Sequence, residues 1–313
     1  QMSNATQIST AQPHSALYLT DLRNDVWHDD YLDLLARRLD LAQVRSLLDV
    51  GCGLGHWGRR WYSRLAPGAS YTGVDLEPQW ILGAREGFAQ KFPEAAGRAQ
   101  FMEGSATSLP FADGELDAVT CQTVLMHLNE PERAIAEMVR VVRPGGLIFC
   151  AEPNSFHNYF TWNDAFATRP AEEIACVAEF WARCLRGRKA QGSGDETIGD
   201  RLPSLFTAAG LEDVQVRKSD CVLSFSPPYN PSASAWLHWA KEARTAGAGQ
   251  WDEKKMRSRV LTGGGDSAFF DKAFATLHAW AEDDEARVRA NTYSASLGLV
   301  LFLVSGRKPS LAP

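Results

Sequence analysis

The stretch that most constrains this 313-residue chain is Leu47 to Gly58, LLDVGCGLGHWG, followed by Asp75 at the end of the next apolar run, YTGVD. An aliphatic run that stops on Asp49 and opens into Gly51, Gly53 and Gly55 reads as a buried parallel strand, a tight turn and the start of a helix. A side chain at such a turn would hold a ligand away from the backbone and from the exposed N–H groups of the helix, and glycine does not. The turn suits a nucleotide-like ligand. A dinucleotide loop has the spacing G-x-G-x-x-G/A, its third small residue allowing close helix-to-strand packing under a pyrophosphate. Counted from Gly51, that position is His56, which is too large. The spacing Gly51, Gly53, Gly55 therefore favours a ligand without a pyrophosphate and argues against a nicotinamide-dependent dehydrogenase. Asp75 stands where a carboxylate can accept hydrogen bonds from both hydroxyls of a ribose, a charged acceptor contributing roughly 1.5–3 kcal/mol.

Strand-like runs (RSLLDV, SYTGVD, AQFME, LDAVT, GLIFCA) alternate with helical stretches such as Glu130 to Val142, whose apolar positions recur at three and four. That alternation predicts βαβ units and a parallel, doubly wound sheet. Pro144-Gly145-Gly146 ends the helix before the strand. Beyond Glu152 the pattern changes: Asn154 to Arg188 is aromatic-rich and helical, and Gly192 to Asp195 is a linker. Ile198 to Gly210 reads as a helix ended by glycine, and EDVQVRK as the strand after it. Pro231 to Ala290 carries two apolar-faced helices, one around Trp236 and Trp239, one around Phe269, Phe270, Phe274 and Leu277. The last run, SASLGLVLFLVSG, reads as one buried strand.

Four segments in order, LLDVGCGLG, GVDLEP, FMEGSATSLPF and VVRPGGLIF, resemble the motif series of class I S-adenosylmethionine-dependent methyltransferases, over roughly Val44 to Pro153. The resemblance implies a Rossmann-like, doubly wound α/β sheet of seven strands, mostly parallel with an antiparallel last strand, plus helical cap insertions. It divides the chain into a tail and lid helix (1–40), a cofactor-binding core (41–153), a helical cap (154–196), a continuation of the core (197–230), a second helical cap (231–290) and a last strand with its tail (291–313). S-adenosylmethionine is the implied cofactor, its methionyl part held by Asp49, Gly51, Cys52 and Gly53, its ribose by Asp75, and its adenine packed on Leu76. The family's third motif is Gly-Asp-Ala. Here it reads Gly104, Ser105, Ala106, so a hydroxyl replaces the acid and adenine recognition leans more on backbone groups. Gln122 and Thr123, directly after the fourth strand, are expected to touch the cofactor, and Arg23 to pair with its carboxylate.

Composition is that of an ordinary globular protein, with 45% hydrophobic residues and enough length for one large core or a core plus a cap. A net charge of −6 with no basic run disfavours nucleic acid as the partner and favours a small-molecule acceptor. Cys52, Cys121, Cys150, Cys176, Cys184 and Cys221 are scattered without a C-x-x-C pair, which reads as small buried hydrophobes in a reducing compartment, with no metal site. No signal peptide pattern opens the sequence, and the apolar run Leu297 to Val304 is too short to span a bilayer, so a cytoplasmic protein is expected, monomeric or homodimeric.

Methyl transfer needs the acceptor in line with the sulfur-to-methyl bond, and orientation alone supplies roughly 7–11 kcal/mol of the barrier. Tyr18, Trp27, Tyr31, His157, Tyr159, Trp162, Tyr229 and Trp236 are the expected pocket lining. His127, after the fourth strand, has the pKa to take a proton from a hydroxyl or amine, and Glu152 at the end of the fifth strand could orient an amine or that histidine. Ser226-Pro227-Pro228-Tyr229 is similar to the [Asp/Asn/Ser]-Pro-Pro-Tyr motif of amino-methylating nucleic-acid methyltransferases, but it follows the sixth strand instead of the fourth and reads as a rigid turn. The expected reaction is methyl transfer to an oxygen, nitrogen or carbon nucleophile. The alternatives are a protein or RNA acceptor, or a non-catalytic S-adenosylmethionine-binding protein.

Overall fold

The computed structural model describes residues 26–160, 163–220 and 222–310, and the chain divides into two compact units. The first contains Trp27–Ser155 with the described residues of 194–221 and 299–313; the second contains 156–193 and 222–298.

The first unit is built on a seven-stranded sheet. In chain order its elements are α1 (Asp29–Arg38), β1 (Ser46–Val50), α2 (His56–Trp61), β2 (Ser70–Asp75), α3 (Pro78–Lys91), β3 (Ala99–Glu103), β4 (Leu116–Gln122), α4 (Pro131–Val141) and β5 (Val142–Pro153). The strands lie in the order β3-β2-β1-β4-β5, all parallel. After the short α5 (Ser155–Asn158), and beyond α6 (Asp164–Ala167) and α7 (Ala171–Ala190) of the second unit, the chain returns through α8 (Leu202–Ala208) to β6 (Glu212–Lys218).

The second unit also holds β7 (Leu223–Phe225), α9 (Pro231–Thr245), α10 (Glu253–Thr262), α11 (Ser267–Arg289) and β8 (Ala295–Leu297). The final strand β9 (Leu301–Arg307) slots between β5 and β6, antiparallel to both. The expected single strand over 294–306 is thus two strands in two sheets. Ala295–Leu297 pairs with Leu223–Phe225, and after Gly298 the buried Leu301–Val304 enters the main sheet, paired with residues 150–153 of β5 on one side and with residues 216–218 of β6 on the other.

Alternation along β4 and β5 sorts the first unit's core into two faces. Cys121, Val119, Ile148 and Cys150 belong to one cluster with Ala134, Ile135, Met138 and Val141, the apolar stripe of α4, together with Leu202 and Phe206 of α8. The intervening Phe149 meets Trp61 at 5.3 Å and Trp57 at 6.5 Å, rings of α2. Further along that aromatic layer Tyr71 stacks on Phe88 at 4.6 Å. Where β1 leads outward to β2 and β3 and the chain returns to β4, the C-terminal ends of β1 and β4 border the crevice in which open α/β sheets take ligands.

The second unit has its own core of Val177, Phe180, Trp181, Cys184, Met256, Val260, Phe270 and Phe274. Four of its helices begin on a side-chain cap: Asn163 accepts from the Phe166 N–H, Asn230 from Ala233, Asp252 from Lys255 and Asp266 from Phe269. α7 and α10 approach until backbone meets backbone. A Cβ on Gly187 would collide with the Arg259 carbonyl, and one on Gly263 with the Arg183 carbonyl. Gly187→Ala must push α10 away, an overpacking cost of about 1–3 kcal/mol. A lowered midpoint in urea melts followed by tryptophan fluorescence is the expected result; an unchanged midpoint would refute the close crossing.

Candidate cofactor site

Gly51, Gly53 and Gly55 all have left-handed backbone, with φ of 65°, 51° and 75°, so the turn after β1 requires residues that tolerate that region. At Gly51 space is limiting as well, since a Cβ would lie 2.5 Å from Val124 Cγ2. The loop is tied to β2 by two consecutive residues. Cys52 donates its N–H to the Val74 carbonyl at 3.0 Å, and Gly53 donates to Asp75 Oδ2 at 2.7 Å. Asp75 Oδ1 accepts from the Glu77 N–H at 3.0 Å. A carboxylate offers about four lone-pair sites, so two acceptor directions remain for hydroxyl donors. The next residue, Leu76, is 63% exposed, an apolar surface on which a planar ring can pack. The glycine cradle, the tethered carboxylate and the exposed leucine fit the nucleoside and aminoacyl parts of S-adenosylmethionine.

Asp49 lies below this loop, fully buried, with Oδ2 accepting from the Tyr71 hydroxyl at 2.8 Å and Oδ1 without a partner among the described residues. Burial pushes its carboxyl up to about 7, against the pull of the Tyr71 bond and the nearby Gly58 N–H. Gly58 has no room for a side chain because a Cβ would strike the Tyr71 hydroxyl, so Tyr71 and Gly58 belong to the site's foundation. The sequence signal for them was faint: a small residue one turn into α2, facing a tyrosine in the neighbouring strand. Cys52 is buried beside the loop, and burial raises its thiol well above the ordinary value, so it serves as packing.

The third motif forms a turn closed on itself. Gly104 donates its N–H to the Asp75 carbonyl at 2.9 Å, placing the turn beside the end of β2. The Ser105 hydroxyl accepts from the Thr107 N–H at 3.3 Å and shares a hydrogen bond with the Thr107 hydroxyl at 3.0 Å. Ala106 packs against the core.

The segment after β4 runs alongside the glycine loop. Gln122 and Thr123 are half-buried, and Thr123 has φ of 53°, uncommon for a β-branched residue. The Thr123 N–H donates to the Ala151 carbonyl at 2.9 Å. The next three N–H groups go to the following residue's carboxylate: Val124 and Leu125 to Glu152 Oε1, both at 2.8 Å, and Met126 to Oε2 at 3.2 Å. Glu152 is fully buried, and burial pushes it up to about 7 while the three N–H groups pull it down. The Glu152 carboxylate is thus held by the loop's backbone amides, a role that the expectation of orienting an amine or His127 did not include. His127 sits at the end of the short turn Leu125–His127 and is exposed.

The expected pocket lining divides. Tyr18, Arg23 and Trp162 lie outside the described residues. Trp27 is 3% exposed and packs in the first unit's core, 5.7 Å from Trp57 and stacked with Tyr31 at 6.3 Å. In the second unit Tyr159 stacks on Trp181 at 3.7 Å, Tyr229 donates its hydroxyl to the Tyr293 carbonyl at 3.1 Å, and Trp236 meets Trp239 edge-on at 5.5 Å. Each ring packs within its own unit; for Trp27, buried in the core, this corrects the expected pocket role, while Tyr159, Tyr229 and Trp236 are half-buried. His157 is exposed. Ser226 to Asn230 connects β7 to α9.

Comparison with known proteins places the family. The profile of the family described as a methyltransferase domain matches residues 48–150, from β1 through most of β5. A methyltransferase of Mycobacterium sp. (strain JLS) is 30% identical over 195 residues, covering 62% of this chain and 69% of that protein. The ubiquinone biosynthesis O-methyltransferase of Xanthomonas oryzae pv. oryzae (strain PXO99A) is 36% identical over 144 residues, 46% of this chain and 56% of that protein. The crystal structure of the YcgJ protein from Bacillus subtilis shares the fold, with a TM-score of 0.50 and 20% identity over 91% of this chain and all of that one. The chain belongs to the class I S-adenosylmethionine-dependent methyltransferases. Among the described residues, no helix is long and apolar enough to cross a membrane.

Because the Asp49 carboxyl titrates near 7 folded and at an ordinary 3.8 unfolded, the native state binds the extra proton between those values, and this group's contribution to stability falls as pH rises from about 4 to about 7. Asp49→Asn keeps an acceptor for Tyr71 and removes that titration. Relative to the unmodified protein, the variant should gain stability across this window, by up to about tenfold in unfolding constant per pH unit. Urea melts at pH 5, 6 and 7.5 measure it, and a pH-independent difference would contradict the raised carboxyl.

Proposed function

We propose that S-adenosylmethionine lies with its aminoacyl part along Gly51–Gly53, its ribose on Asp75 and its adenine on Leu76, and that its methyl group passes to an oxygen, nitrogen or carbon nucleophile of a small molecule. The observation that carries this reading is the Asp75 carboxylate, fixed by the Gly53 and Glu77 N–H groups beside an exposed apolar residue. When bound, the cofactor supplies an electrophilic methyl on a sulfonium. The protein's own part is to hold and orient. Asp75 fixes the ribose, the glycine turn lets backbone approach, and Gln122 and Thr123 border the aminoacyl end. His127, exposed after β4, takes the proton that the acceptor releases. A small acceptor is supported by the ubiquinone-pathway relative, whose name describes an O-methyltransferase, and by a net charge of −6 without a basic run.

Calorimetric titration with S-adenosylmethionine and S-adenosylhomocysteine tests the site. Asp75→Ala should weaken both by at least about tenfold, the loss of a charged acceptor. Unchanged affinity in a folded variant would remove the ribose assignment. A transfer screen over phenols, amines and activated carbon acids, using labelled methyl, identifies the acceptor. On a hit, His127→Ala should lower turnover by about a hundredfold at neutral pH. A loss below threefold would leave proton removal to solvent.

A further inference from the structure

Four consecutive N–H groups, Thr123 to Met126, are accepted by two consecutive residues at the end of β5: the Ala151 carbonyl takes the first and the Glu152 carboxylate takes the other three. In this run Thr123 is left-handed and Val124 reaches over Gly51, the first residue of the cofactor turn. A β-branched residue in that conformation persists only where its surroundings fix it. On its far side the same run is held by Asp195, whose N–H donates to the Met126 carbonyl at 2.9 Å, and by Gly194, which leaves no room for a side chain against that carbonyl. Glu152 is the only carboxylate bonded to these amides among the described residues, and it comes from a different strand than the loop it holds.

We propose that Glu152 is a positioning residue for the cofactor: by gathering the Val124, Leu125 and Met126 amides it holds Thr123 left-handed and Val124 against Gly51, and so sets the wall that receives the aminoacyl end of S-adenosylmethionine. The proposal rests on the site reading given above. It assigns Glu152 no proton transfer and no contact with the acceptor. Its effect should be confined to the part of the ligand lying along Gly51–Gly53, since Asp75 and Leu76 are held by bonds that Glu152 does not make.

Two ligands separate these parts. S-adenosylhomocysteine carries the aminoacyl chain, and 5′-methylthioadenosine has the same nucleoside without it. In Glu152→Gln the amide keeps one oxygen acceptor of similar shape, but its NH2 group faces an N–H it cannot accept from. S-adenosylhomocysteine binding should weaken by roughly tenfold, the scale of an unmade buried hydrogen bond, while methylthioadenosine binding changes by less than about threefold. Amide hydrogen exchange at Val124, Leu125 and Met126 should speed up in the same variant. Adding Thr123→Asn, a residue that tolerates the left-handed region, should restore several-fold of the lost affinity by lowering the strain that the carboxylate must hold. Equal weakening of both ligands, unchanged exchange at the three amides, or no recovery in the double variant would each overturn the proposal. Failure of the unmodified protein to bind S-adenosylhomocysteine is a different result: it overturns the site reading and takes this proposal with it.

Discussion

A turn that leaves the end of a parallel strand strips several N–H groups of their sheet partners, and in this molecule side-chain carboxylates take them over. Asp75 receives Gly53 and Glu77, and Glu152 receives Val124, Leu125 and Met126. Glu137 on α4 does the same for Leu109, at 2.7 Å. Each acid sits on a different element from at least one of the amides it satisfies, so each bond also fixes one loop relative to the next. The crevice at the ends of β1, β2 and β4 is therefore shaped by charge-assisted bonds to backbone, and its geometry depends on acids buried at a cost in desolvation.

The opposing face of the sheet answers a different need. Thr120 alternates with the aliphatics of β4 and points into the aromatic layer, where its hydroxyl accepts from the Trp57 indole at 2.9 Å and donates to the Phe149 carbonyl at 2.6 Å. One polar residue thereby satisfies an indole N–H that would otherwise be buried unpaired. Among the described residues the Trp27 and Trp61 indoles have no such partner, so the aromatic layer is held by ring packing more than by hydrogen bonds.

Much of this could be read in the residues. The alternation of apolar runs and helical stretches, the three glycines and Asp75 announce the parallel sheet and the turn at its switch point, because periodicity and the demand for left-handed backbone are local properties. The loop-holding role of Glu152 was missed for the opposite reason. An acid ending the apolar run GLIFCA could serve a ligand or a loop, and only the fold shows that three amides from β4's loop converge on it. Trp27 was assigned to a pocket on residue type, although aromatics fill cores at least as often. The last run was divided between two sheets because burial pattern tells which residues need covering but not which strand covers them. Gly187 is similarly silent in sequence, where a glycine inside a helix looks like a weakness instead of a point of contact.

The placement of β9 has a consequence for how the molecule is assembled. This strand completes the sheet between β5 and β6, yet both segments of the second unit precede it in the chain. During synthesis, then, one flank of β5 lacks its partner while the whole second unit is being made, and the flank is an apolar row of Leu147 to Ala151 with unpaired backbone groups. Such an edge is a template for pairing with other chains. A defect that slows or prevents the second unit from collapsing would prolong that exposure, so substitutions in that unit's core could appear as poor yield or aggregation in a protein whose glycine turn is unaltered.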